Sequence, residues 1–415
     1  MEKNGKKRIG IISLGYAWLP CEPGPSRFYD IARIFAEQGY EVDLIGSSFQ
    51  HFQKKPKDQD LINSQGYPFH NVFISVPAYK KNIDLRRIYS NKVAAKNVMK
   101  HLQENNYDII YNSIPANNIS ALVGEYCKKN NIPYIIDVED LWPEAMKMVC
   151  KLPIVSDVLF YAFKRDAERA YACADAVIGT SKEYTNRAFK YQKRDIPHHT
   201  IYVGCNMEVF DQGVIEYNQT IEKQPEEFWI TYAGSIGTSY DIKTLVDAGK
   251  TLNKHENIKI KILGTGPMKE ELEQYAQEKD ITNVEFLGYV AYPNMAAYLA
   301  KSDVLVNSFV KGAPQSIVNK VGDYLSAGKP MINTLENLEF MELVDERKFG
   351  ANIEPENVSK LSDTILKYYK DRNGICTEQG KNARKTAEEC FDRKKTYLKM
   401  VEVADELMGE DSKDV

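Results

Sequence analysis

Short apolar runs alternate with loops and helix-period segments along almost the whole chain. Residues 8–14, RIGIISL, form the first run, and the loop GYAWLPCEPGPSRF after it leads into a helix near Ser26. Phe28, Ile31, Ala32 and Phe35 recur at helical spacing, and Gly39 ends that helix before a strand at 42–45. Further strands are predicted at 72–76, 108–111, 134–138, 175–179 and 200–203, with helices at 118–128, 156–173 and 182–190. A second series follows, with strands at 229–233, 258–263, 284–287 and 304–306 and after Pro330, and helices at 242–252, 268–277 and 294–300. Two such series predict two α/β domains, each a Rossmann-like parallel sheet, facing a cleft. The expected domains are 1–208 and 229–391, joined by the polar, weakly patterned linker 209–228.

The stretch 303–334 places its chemistry where such sheets bind ligands. A strand, a loop with Gly312, Pro314 and Ser316, and a helix with Val318, Val321, Tyr324 and Leu325 inward bring Asn319, Lys320 and Asp323 to the sheet's carboxyl edge. Lys320 offers a positive charge for phosphate, and Asp323 suits sugar or ribose hydroxyls. An ordinary crossover with solvated charges has the same pattern. Elsewhere in this half, Gly234 and Gly237 can bring backbone amides close to an anion, ahead of the helix at 242–252. Gly264 and Gly266 form a second Gly-rich turn, GTGP. Together the three features point to a nucleotide or nucleotide sugar.

In the first half, the loop before Arg27 lacks GxGxxG spacing, so a dinucleotide has little support. Gly24 and Arg27 can still admit a substrate. At the end of the strand 134–138 stand Asp137, Glu139, Asp140 and Glu144, beside Trp142. Carboxylates there can bind hydroxyls or take a proton, and Trp142 offers a sugar a flat apolar face; turn formation and helix capping use acids in the same places. Residues 50–65 are polar and read as an exposed excursion. From Lys80 to Lys100, seven bases face only Asp84, with Ile83, Leu85, Ile88, Tyr89, Val93, Val98 and Met99 interleaved. Such a segment can rest on an anionic bilayer, or be a solvated helix packed by its apolar side.

Composition narrows the classes. With 54 Lys plus Arg against 58 Asp plus Glu, nothing suggests a nucleic-acid binder. No apolar run reaches transmembrane length and MEKNGKKRIG leads straight into a strand, so neither a membrane span nor a secretory signal is expected. Seven unspaced Cys read as reduced thiols in a cytoplasmic compartment, and no metal site is expected.

The EPGPSR loop, DLWPE, YAGSIGT with Asp241, ILGTGP, FLGYV, SDVLV and NKVGDYLSAGKPMI, in that order, resemble the family 4 retaining glycosyltransferases of the GT-B fold. The likeness spans nearly the whole chain, and is strongest to the bacterial O-antigen and capsule branch that includes UDP-N-acetyl-L-fucosamine transferases. The resemblance implies a donor nucleotide in the carboxyl-terminal domain, an acceptor chiefly in the amino-terminal one, a last helix within 392–410 crossing back onto the first domain, and no bound metal. The family's phosphate-binding Arg and Lys fall on Ser235 and Tyr240 here, which leaves Lys320 and the amides near Gly234 and Gly237 for that task. Its paired glutamates fall on Gln315 and Asp323, and a frequent His falls on Glu139.

These readings converge on an expected cytoplasmic transferase, peripheral to the inner face of a bacterial membrane. It would move a sugar, N-acetylated in that branch, from a UDP-sugar to an undecaprenyl-diphosphate-linked saccharide. Lys320 would stabilise the leaving diphosphate, and Glu139, or else Asp140, would orient or deprotonate the acceptor. The alternatives are a nucleotide-sugar 2-epimerase of the same architecture and a catalytically inert nucleotide-sugar-binding protein.

Overall fold

The computed structural model describes residues 6–14, 27–51, 53–81, 85–141, 153–313 and 316–409, with the side chains of 153–159 left aside. Gly24, Trp142, Glu144, Pro314 and Gln315 lie outside these ranges. The chain divides into two compact units, Met1–Ile201 with Lys394–Val415, and Tyr202–Arg393.

In the first unit, seven strands form a wholly parallel sheet: β1 Arg8–Ile12, β2 Glu41–Ser47, β3 His70–Ile74, β4 Ile109–Ile114, β5 Tyr134–Val138, β6 Ala176–Gly179 and β7 His198–Thr200. Their order, β3-β2-β1-β4-β5-β6-β7, runs outward in both directions from β1 and β4. Parallel strands covered by helices on both faces must be apolar throughout, and β4 and β5 are buried at every residue. Helix Arg27–Glu37 buries Phe28, Ile31, Ala32, Ile34 and Phe35 on one face of this sheet, and Met400, Val401, Val403 and Ala404 of helix Leu398–Leu407 join the same core. The other face is covered by helices Leu85–Glu104 and Asn117–Asn130, through Ala94, Val98, Ile119 and Val123.

The second unit repeats the plan with six strands: β8 Phe228–Ala233, β9 Ile258–Leu263, β10 Val284–Gly288, β11 Val304–Asn307, β12 Met331–Asn333 and β13 Gly350–Asn352. The order is β10-β9-β8-β11-β12-β13, again parallel. Its strand order therefore reverses at β8 and β11, the place where loops after strands open a ligand crevice.

Three expectations change. The segment 209–228 is not a linker: helix Met207–Tyr217, capped by the Asn206 side chain on the Val209 amide, packs Met207, Phe210 and Gly213 inside the second unit. The boundary falls instead between Ile201 and Tyr202, and the return between Arg393 and Lys394. The closing helix is two pieces, Arg393–Thr396 and Leu398–Leu407. The excursion 50–65 also folds locally, as a two-residue-strand hairpin, Phe49–Gln50 with Lys55–Pro56, and a helix, Gln59–Asn63. No helix among the described residues is long and apolar enough to cross a membrane.

Arg27 is the largest charge in the first core. Its side chain is 1% exposed, and its Nη2 donates to Asp137 Oδ2 at 2.7 Å, an oxygen that also accepts from the Tyr111 hydroxyl at 2.7 Å. Its Nε lies 3.4 Å from Glu139, and its Cζ lies 5.4 Å from the centre of the Tyr397 ring. Arg27 was expected to meet acceptor; the structure spends its charge internally on Asp137, because a guanidinium this deep needs a counter-charge. Removing it strands a buried carboxylate. Arg27→Met is expected to destabilise the chain by about 3–5 kcal/mol, read as a lower urea midpoint, with much of the loss recovered in Arg27→Met/Asp137→Leu. An unchanged midpoint in the single variant would show that the pair does not hold the core.

Candidate functional site

The candidate donor site begins with two loops that interlock at the carboxyl edge of the second sheet. Gly234, at φ +154°, follows β8, and Gly264, at φ +142°, follows β9. A Cβ on Gly264 would stand 1.8 Å from the Gly234 carbonyl oxygen, and one on Gly266 would stand 2.2 Å from that of Ile236. These two glycines thus serve the approach of loop to loop. Gly237, in contrast, faces open space. The Ile236 amide donates to Thr265 and the Tyr232 hydroxyl to the Ser235 carbonyl, which fixes the loop. Ser235 itself is exposed.

Helix Ile242–Leu252 starts beside this loop. Asp241 caps it by accepting from the Thr244 amide at 3.1 Å, and its other oxygen accepts from the Glu356 amide at 3.0 Å. The side chain is thereby occupied in holding together the loop and the segment after β13.

Lys320 opens the helix Lys320–Ser326. At seven residues that helix is too short to supply much dipole, so any charge offered here is the side chain's own. Its Nζ is buried and has no hydrogen-bond partner among the described residues. Four rings surround it instead, with centres at 4.3 Å (Tyr232), 4.9 Å (Tyr240), 5.0 Å (Phe309) and 5.7 Å (Tyr324). Tyr324 is itself fixed by accepting from the Ala233 amide at 2.7 Å and donating to the Ala233 carbonyl at 3.0 Å. Ring faces return part of the lost hydration. Burial nevertheless pushes the Lys320 ammonium down to about 7.

Around it stand the other residues that the sequence singled out. The Ser316 hydroxyl is also buried without a partner among the described residues. Asn319 is exposed, and makes no capping hydrogen bond to the helix that it precedes. Asp323 accepts from the Tyr292 hydroxyl at 2.7 Å through Oδ1; burial pushes its carboxyl up to about 6, against the effects of that hydrogen bond and of Arg393. An amine and a hydroxyl buried without partners among the described residues, four positions apart in the chain at a strand-order reversal, are suited to receive the oxygens of an anion.

The sequence reading missed the four-ring cage. Tyr240 stands where the resemblance places a family cation, and the structure uses that position to house a different one. The signal was present in the aromatic residues at the end of β8 and just after β11, but only folding shows that they meet.

The first unit carries its own site. At the carboxyl edge of its sheet lies a cavity of about 280 Å³, reached by Leu14, Ser47, Val76, Pro115 and Asp140 at or just after the ends of β1, β2, β3, β4 and β5. Asp140, whose Oδ1 accepts from the Leu141 amide, is thus in a cavity wall. Glu139 is not among the residues that line this cavity; its side chain is 14% exposed and rests on Arg27. His51, Tyr79, Arg87, Ser90 and Asn91 complete the polar part of the wall. Of these, only Arg87 drew attention in the sequence, as one base in a charged run.

Comparisons with known proteins agree with this architecture. Residues 215–386 match the family described as Glycosyl transferases group 1. The chain is 26% identical over 222 residues to an uncharacterized glycosyltransferase of Methanocaldococcus jannaschii, a match covering 50% of this chain and 55% of that protein. It is 27% identical over 135 residues to the putative colanic acid biosynthesis glycosyl transferase WcaI of Escherichia coli, covering 32% and 33%. The matches therefore span about half or less of these relatives. Among solved structures, sucrose-phosphate synthase from Thermosynechococcus elongatus superimposes with a TM-score of 0.71 at 18% identity, over 97% of this chain and 99% of that one. Anabaena HepE in complex with UDP gives 0.69 at 16%, over 97% and 100%. The fold is GT-B, two parallel-sheet α/β domains.

Caging Lys320 has a measurable cost. Its pKa is lowered in the folded chain, so the unfolded chain binds more protons between about 7 and the ordinary 10.5, and this group makes stability rise with pH across that window. The slope is at most about 1.4 kcal/mol per pH unit. Lys320→Met is expected to be more stable than the parent at pH 7 and to lose that part of the slope in urea unfolding from pH 7 to 10. Parallel stability profiles for the two proteins would contradict a desolvated amine.

Proposed function

We propose that this chain is a retaining, metal-independent glycosyltransferase that moves a sugar from a UDP-sugar to a lipid-linked saccharide. The observation that carries the reading is the caged Lys320 amine, buried without a hydrogen-bond partner among the described residues, four positions after the Ser316 hydroxyl that shares that lack, at the reversal point of the second sheet. A diphosphate supplies the acceptor oxygens that both atoms lack. HepE, a neighbour in fold, binds UDP and UDP-glucose, which supports the choice of nucleotide. The oxygen of Asp323 not engaged by Tyr292 suits a ribose hydroxyl.

In the proposed reaction the bond from the anomeric carbon to the β-phosphate oxygen breaks, and its electron pair leaves with UDP. An acceptor hydroxyl forms the new bond from the same face, and its proton passes to Glu139. Lys320 and the amides near Gly234 and Gly237 stabilise the charge growing on the diphosphate, a contribution worth on the order of 10²–10³ in rate for one well-placed donor. Arg27, fixed by Asp137, holds Glu139 at the end of β5. Asp140, in the cavity wall, is assigned to acceptor hydroxyls.

The lipid-linked acceptor rests on helix Leu85–Glu104. Leu85, Ile88 and Tyr89 are 83%, 43% and 60% exposed, interleaved with Arg86, Lys92 and Lys96. Exposed apolar residues among bases suit the interface of an anionic bilayer, and so a peripheral place on the inner membrane face. The WcaI match supports a role in surface polysaccharide synthesis. An N-acetylated donor sugar is the expectation from the branch that the sequence resembles.

With a panel of UDP-sugars and an undecaprenyl-diphosphate-linked saccharide, turnover followed by mass spectrometry is expected to need both substrates and to survive EDTA. Glu139→Gln is expected to lower kcat by about 10²-fold or more, and Asp140→Asn to raise chiefly the acceptor KM. Donor conversion without acceptor would replace the reading by epimerisation or hydrolysis, and UDP-sugar binding without product by an inert binding protein.

A further inference from the structure

The cavity of the amino-terminal unit has a charge distribution that its polar lining alone does not explain. Tyr79 is buried in its wall, with its ring 4.9 Å from that of Phe49 and its hydroxyl 2.5 Å from His51 Nδ1. Lys54 Nζ lies 5.0 Å and Arg87 Cζ 6.0 Å from the centre of the same ring. Lys54 also donates to the His51 carbonyl. Three basic side chains, brought from the hairpin after β2 and from the start of helix Leu85–Glu104, thus gather on one phenol ring.

Like charges gathered in a half-buried place raise the local positive potential, and the neighbouring groups record it. Burial, then Lys54 and Arg87, push the His51 imidazole down to about 4, so it is neutral at physiological pH. Burial, then Arg87, lower the Lys54 ammonium as well. The carboxylate among the described residues of the cavity wall is Asp140, at the end of β5. Such a wall favours an anion at Arg87 and hydroxyls at Asp140.

Building on the acceptor role proposed above, we infer that this cavity is a phosphate-binding acceptor subsite, in which Arg87 of the wall holds the phosphate of the acceptor, Lys54 adds positive charge from its place on the Tyr79 ring behind the wall, and Asp140 meets the sugar hydroxyls. Arg87 gives a planar, two-donor grip, Lys54 a second charge, and the Tyr79–His51 pair a neutral hydrogen-bonding wall. At about 280 Å³ the cavity has room for a phosphorylated sugar ring or a diphosphate with its first sugar, and not for a long saccharide. The phosphate belongs either to a lipid diphosphate or to a free sugar phosphate. Both present the same group to Arg87.

The test is calorimetric titration of the full chain with inorganic pyrophosphate, geranyl diphosphate and glucose 1-phosphate, each with and without saturating UDP. Wild type is compared with Arg87→Gln, Arg87→Lys and Lys320→Met, after unfolding midpoints confirm that each is folded. Pyrophosphate is expected to bind in the presence of UDP, to weaken at least about 10-fold in Arg87→Gln, to recover only in part in Arg87→Lys, which restores the charge but not the two-donor grip, and to be unaffected by Lys320→Met. Geranyl diphosphate binding more tightly than pyrophosphate would assign the lipid-linked source, and glucose 1-phosphate doing so the free sugar phosphate. Pyrophosphate binding that is equal in wild type and Arg87→Gln, or that is excluded by UDP and lost only in Lys320→Met, would overturn the subsite. A chain that fails to bind UDP refutes the donor reading on its own titration, and the Arg87 comparison without UDP still decides the phosphate subsite.

Discussion

A lysine amine held among four aromatic rings, with no hydrogen-bond acceptor at hand among the described residues, is the constraint around which the carboxyl-terminal unit is arranged. Tyr232 comes from β8, Tyr240 from the loop that follows it, Phe309 from the segment just after β11, and Tyr324 from the helix that Lys320 begins. Holding those four elements together requires the parallel sheet, the interlocked loops at Gly234 and Gly264, and the Tyr324 hydroxyl bridging the amide and carbonyl of Ala233. The cage holds an amine in a poor environment for charge, so burial pushes it down to about 7. A ligand that brings negative charge improves that environment, and the gain favours anion binding.

The amino-terminal unit solves the opposite problem. Its buried guanidinium, Arg27, is paired in charge with Asp137 through one hydrogen bond from Nη2, and the pair anchors the end of β5 where Glu139 and Asp140 emerge. One unit thus neutralises its buried charge internally, giving a fixed platform, while the other leaves it unneutralised, which suits the diphosphate binding proposed for it. The difference follows from whether a carboxylate lies within reach. Asp137 meets Arg27 at 2.7 Å, whereas Asp323, one helical turn from Lys320, is turned to Tyr292.

The alternation of apolar runs and helix-period segments made both sheets legible, because parallel strands buried on two faces leave continuous apolar runs in the sequence. Helix Met207–Tyr217 was read as linker because it buries little besides Met207 and Phe210, and its remaining face is polar. Strand β13 is three half-buried residues, GAN, too short and too polar to register as a strand. Lys320 was legible as a cation at a sheet edge, but its cage was not, since its rings are spread over 93 positions, from 232 to 324. The buried pairing of Arg27 is hidden for the same reason: its counter-charge is 110 residues away in the chain. The His51 and Tyr79 wall lay hidden in and beyond a polar stretch whose local hairpin carries no strong pattern.

The account depends most on Lys320 being largely uncharged in the free protein near pH 8 and charged when a nucleoside diphosphate is bound. Calorimetric titration with UDP at pH 8, in buffers of different ionisation enthalpy, counts the protons exchanged on binding. The account predicts uptake of close to one proton, absent in Lys320→Met. UDP binding with no proton uptake, equal in both proteins, would show that the caged amine is not what holds the diphosphate.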